Sequence, residues 1–110
     1  MAFDEKLAAR IKSHLGKKKG LVEKKLFGGV GFMLNGNMAC GVHGSELIVR
    51  LAPEETDKAL AQKNVRVFDL SGGRPMKGWI LVEPAGIESE KDLAKWVDIG
   101  AKYAAALPPK

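Results

Sequence analysis

Cysteine and histidine are scarce in this chain: there is one cysteine, Cys40, and there are two histidines, His14 and His43. A single thiol closes no internal disulfide, so a disulfide-stapled secreted scaffold is excluded. One cysteine and two histidines also make a poor zinc set without carboxylates, and no metal is expected. No stretch approaches the roughly 18 to 20 consecutive apolar residues needed to cross a bilayer. Nor does a basic start followed by an apolar run mark a secretory signal. These absences lead us to expect a soluble cytoplasmic protein without a membrane partner. Aromatic residues make up only 6% of the chain, which leaves few rings on which single-stranded nucleic acid could stack.

What is present suits one compact domain over residues 1–110, with 45% hydrophobic and 28% charged residues. The formal net charge of +5 comes largely from lysine, with Lys17, Lys18, Lys19, Lys24 and Lys25 close together. A field of this sign attracts nucleic acid or any acidic partner, although a solvated lysine loop is the commoner cause of such a run.

Hydrophobic spacing divides the chain into elements. Phe3, Leu7, Ile11 and Leu15 recur every four residues and predict an amphipathic helix that stops near Gly16. From Val30 the period changes to two: Val30, Phe32 and Leu34, then Asn35-Gly36, then Met38, Cys40 and Val42. Asn-Gly suits a two-residue turn with positive φ, so this segment reads as a β-hairpin. "HGS" turns the chain again into Glu46–Leu51, a third antiparallel strand. "PEETDKALAQK" reads as a short helix opened by Pro53. "VRVFDL" and "GWILVEP" read as two more strands around the loop "SGGRPMK". Ser89 is a good N-cap for a last helix carrying Leu93, Trp96, Val97, Gly100, Tyr103, Ala104 and Leu107 on one face. The order α-β-β-β-α-β-β-α predicts an α+β two-layer sandwich, an antiparallel sheet with one face covered by helices.

The glycines of "LFGGVGFMLNGNMACGVHG" do not form a phosphate loop. Counting from Gly29, the third position is Gly31 but the sixth is Leu34, and a strand follows where a nucleotide-binding helix belongs. The residue pattern assigns Gly36 and Gly44 to turns. Gly28, Gly29, Gly31 and Gly41 are expected to let a helix lie close to the sheet or to let the strand curve.

Catalytic constellations are lacking. Cys40 and His43 are three apart and point to opposite sides of a regular strand, so they do not pair as nucleophile and base. Glu54, Glu55 and Asp57 open one helix, and Glu83, Glu88, Glu90 and Asp92 surround the start of another, where they serve helix-end electrostatics. An enzyme would need a deep pocket bordered by Cys40, His43 or these acids. The loop "GGRPMKGW" sets Arg74 and Lys77 beside Met76 and Trp79, a candidate docking patch if exposed, or a solvated loop leading into a buried strand. The candidate interaction surface is therefore Lys17, Lys18, Lys19, Lys24, Lys25, Arg74, Lys77 and Trp79. An exposed strand edge or the Trp79 region is also a place where two copies could pair.

The segment "LFGGVGFMLNGNMACGV", followed by "ELIVRL", a short helix, a strand pair and a terminal helix, resembles the N-terminal domain of the TfoX family, also called Sxy, of bacterial competence regulators. Phe27, Gly28, Gly29 and Gly31, with the Asn35-Gly36 hairpin after them, carry the resemblance most specifically. It implies a fold similar to that of type III secretion chaperones and a non-enzymatic role without cofactor. Family members promote competence-gene transcription, together with the cyclic-AMP receptor protein. The regulators carry a second, helical C-terminal domain, and "PMKGWILVEP" looks more like the short stand-alone members, so a stand-alone domain is expected. The partner it implies is another protein of the transcription machinery or a regulator. The alternative is direct nucleic-acid binding through the lysine-rich loop.

Overall fold

The computed structural model describes residues 4–16, 20–26, 29–68 and 78–108. The first helix, α1, spans Glu5–Leu15 and presents Leu7, Ile11 and Leu15 to the core. Asp4 caps it, its carboxylate accepting from the Lys6 and Leu7 amides, and Gly16 ends it at φ 61°. Six strands follow in two groups: β1 Leu21–Leu26, β2 Gly29–Leu34, β3 Asn37–His43 and β4 Glu46–Arg50, then β5 Val65–Val67 and β6 Trp79–Val82. Between the groups, a 3-10 turn at Pro53–Glu55 leads into the short helix α2, Thr56–Leu60. The last helix, α3, covers Glu90–Ala106, and the Ser89 hydroxyl accepts from the Asp92 amide at 3.0 Å.

The strands form one antiparallel sheet in the order β1-β2-β3-β4-β6-β5. The α+β class with helices on an antiparallel sheet is as expected, but with six strands instead of five. The additional one is β1, "LVEKKL", a segment for which the residue pattern predicts no element. It is an edge strand whose residues 22–25 are all exposed, so its alternation carries almost no hydrophobic signal. Lysines on such an edge also discourage pairing with another sheet.

Asn35 and Gly36 join β2 to β3 with φ of 53° and 85°, the doubly positive turn that the Asn-Gly pair predicts. Gly44 turns β3 into β4 at φ 62°. β3 carries one extra residue: Phe32 faces Cys40, but Met33 faces Met38, so Ala39 forms a bulge. Val30, Phe32, Cys40, Val42, Leu47, Val49, Ile80 and Val82 line the sheet face that meets α1 and α3 and form the main core with them.

The close helix approach is made by a glycine of the helix, while Gly29 and Gly41 approach neighbouring strands. A Cβ on Gly100 of α3 would run into the carbonyl of Ala39 at the bulge. A Cβ on Gly41 would meet the Val30 carbonyl of the neighbouring strand and the Met38 methyl. The strand glycine therefore serves sheet packing on the other face. That face is not simply solvated: Met38, Ile48, Phe68 and Leu81 are buried there, with Met33 and Trp79 against them. The Arg66 guanidinium forms a two-pronged pair with Glu46, from β5 to β4, with Nε–Oε2 at 2.7 Å.

Candidate functional site

Of the residues expected to form an interaction surface, Lys24, Lys25 and Trp79 are among the described residues. Lys24 and Lys25 are exposed on β1, and strand alternation sends them to opposite sides of the sheet. Trp79 begins β6, with β2, β3 and β4 between it and β1. It is half-buried, with its ring centroid 5.5 Å from that of Phe68. Lys17, Lys18, Lys19, Arg74 and Lys77 lie outside the described residues, as do Phe27 and Gly28 of the glycine motif.

Cys40 is sealed in the core, where burial pushes its thiol up to about 12. A thiol so rarely ionised is no nucleophile at neutral pH. His43 lies on the opposite side of β3, opposite Glu46. His14 instead meets Glu90, which also binds Arg10. Among the described residues, no group of three His, Cys, Asp or Glu side chains could hold a metal ion. No helix among them is long and apolar enough to cross a membrane.

Among the described residues, a concavity lies where sequence spacing did not point. It is a half-open groove of about 510 Å³ between α2 and α3, within the size range of ligand and peptide sites. Trp96, Ile99, Tyr103 and Ala106 recur at three- and four-residue intervals and form a stripe along α3. Ala52, Glu55, Ala59 and Gln62 form the facing stripe, with Leu51 below. The ten residue steps from Trp96 to Ala106 extend the groove over roughly 15 Å at 1.5 Å per step. Its lining is chiefly apolar, and its charged members are Glu55, Lys58 and Lys102.

Two more cations stand at its ends. Lys95 donates to the Gln62 side chain at 3.2 Å, with its ammonium 4.6 Å from the Trp96 ring centroid. Arg50, at the end of β4, holds its guanidinium carbon 5.2 Å from the Trp79 ring centroid and 5.6 Å from that of Tyr103. Tyr103 thus belongs both to the groove and to the arginine's aromatic setting. Periodicity did identify Trp96 and Tyr103 on the buried face of the last helix. Ile99 and Lys102 fall outside that face, and only the position of α2 makes them a wall.

Comparison with protein families gives a match to the TfoX N-terminal domain over residues 13–104 of the 110. The chain belongs to the TfoX N-terminal domain family. The matched span takes in the whole sheet, α2 and nearly all of α3, so the TfoX N-terminal domain supplies every groove residue except Ala106. No curated protein and no solved structure matches the chain.

Proposed function

We propose that this TfoX N-terminal domain is a non-enzymatic, cytoplasmic regulatory module that acts on transcription, including that of competence genes, by docking a protein partner in the groove between α2 and α3. Family membership supports a regulatory domain in general. The observation that carries the docking role is the apolar trough with Ile99 and Tyr103 on its wall and Trp96 at its base. Helix-in-groove recognition uses such a trough: the partner's apolar stripe enters it while the rim stays polar. Covering the half-exposed Tyr103 ring and Ile99 side chain contributes roughly 25 cal/mol per Å² of apolar surface removed from water.

A photo-crosslinking residue at position 99, introduced in cells, tests the reading together with transcript profiling of an Ile99→Glu variant. The expected result is a crosslink to a transcription regulator or a polymerase-associated protein, and an expression profile in the variant matching that of a deletion strain. Crosslinks to nucleic acid alone, or a variant profile like that of the wild type, would overturn it and favour direct nucleic-acid binding.

A further inference from the structure

We infer that the groove selects an acidic amphipathic helix of about three turns, with Arg50 as the receptor for one of its carboxylates. The inference rests on the docking role proposed above and adds the chemistry of the partner. Its starting point is the setting of Arg50. This side chain is half-buried and is held by the Trp79 and Tyr103 rings, yet among the described residues its guanidinium has neither a hydrogen bond nor an ion pair. Guanidinium carries five N–H donors in a rigid fork that matches a carboxylate. Aromatic rings contact a guanidinium through π interaction and do not use its N–H donors as a carboxylate would. Arg66, on β5, shows the contrast, since its fork is already engaged by Glu46.

The charges around the trough agree with that receptor. Lys58 of α2 and Lys102 of α3 line the trough with Glu55, and Lys95 and Arg50 stand outside the lining, beside Trp96 and Tyr103. A helix lying along the roughly 15 Å stripe would place apolar residues at i, i+3, i+4 and i+7 over Trp96, Ile99, Tyr103 and Ala59. Its acidic flanks would then face lysines on both rims, with one carboxylate in reach of Arg50. A basic helix would meet Lys58 and Lys102 along the trough, and juxtaposing like charges selects against it. Among the described residues a second copy offers no free helix as occupant: the apolar stripe of α1 is already in the core, the buried face of α3 likewise, and α2 has only five residues.

The test uses two synthetic 14-residue helical peptides with the same leucine stripe, one with glutamate and one with lysine at the remaining positions, titrated into isotope-labelled full-length protein and followed by amide shifts. The acidic peptide is expected to shift Ala59, Ile99 and Tyr103 and to bind at least tenfold more tightly than the basic one. Arg50→Gln should remove most of that preference. Because that change also loosens an aromatic stack, the double variant Lys58→Glu/Lys102→Glu, at exposed positions, provides a second reading and should reverse the preference. Equal affinity for the two peptides, with both blocked by Ile99→Glu, would overturn the acidic selectivity while leaving the groove as a docking site. Absence of groove shifts with either peptide would overturn both. Displacement of the acidic peptide from the groove by duplex DNA would assign the cations to phosphate instead.

Discussion

Arg10 and Glu90, eighty residues apart, are joined by a 2.6 Å contact between the guanidinium Nε and the carboxylate Oε1. The other carboxylate oxygen meets His14 Nε2 at 2.8 Å, and Arg10 also donates to the carbonyls of Ile87 and Glu88. One turn of α1 is thereby tied to the start of α3, where a carboxylate also complements the positive helix end.

The hydrogen bond from His14, and then that from Arg10, hold the Glu90 carboxyl below its usual range. A depressed folded-state value makes its stabilisation complete above the ordinary carboxylate range and lost as pH falls through the lowered value. Glu90→Gln is therefore expected to lower Tm at pH 7 and at low salt, with the difference from the wild type closing in acid and in high salt. Thermal melts across pH and salt would show it, and a gap that persists in acid would contradict the assignment.

Gly100 runs against helix propensity for a packing reason. Replacing an interior helix glycine with alanine ordinarily gains about 1 kcal/mol. Here the new methyl would collide with the Ala39 carbonyl, and relief requires the helix or the bulged strand to move. Overpacking of this kind costs roughly 1–3 kcal/mol, so Gly100→Ala is expected to lower the urea midpoint despite the better propensity. A raised midpoint would show that α3 can lift without cost.

Cys40 should behave as a core residue in every thiol assay. With its thiol pushed up to about 12 by burial, labelling of the native protein at pH 8 is expected to be slow and to accelerate in urea as the core opens. Because the unfolded thiol ionises near its ordinary value of about 8.5, its contribution to stability is complete below that pH and declines above it. Cys40→Ser buries a hydroxyl and should cost roughly 1–3 kcal/mol, while removing that alkaline decline. Rapid native labelling would contradict a closed core.

Local chemistry was legible wherever a residue type meets a backbone requirement by itself. Asn35-Gly36 specifies its turn because few other residues adopt positive φ at low cost, and Ser89 specifies a helix start through its own hydroxyl. Strand β1 was not legible, since Leu21 and Leu26 bound a run of exposed residues and only pairing with β2 makes it a strand. Its lysines read as loop because charge at an edge and charge in a loop look alike in one dimension. The role of the glycines was legible as structural, but not which partner each approaches: Gly100 serves the helix contact and Gly41 the strand contact.

By itself, then, the amino-acid order determined the turns, the caps, the amphipathic faces of α1 and α3, and through them an antiparallel sheet covered by helices. Those features depend on interactions within a few residues and on hydrophobic period. The tertiary structure alone decided that Arg10 reaches Glu90, that Arg50 meets both Trp79 and Tyr103, and that Ile99 and Lys102 line a groove with α2. Each of these joins segments brought together only when the sheet forms and the helices pack on it, a geometry no local period encodes.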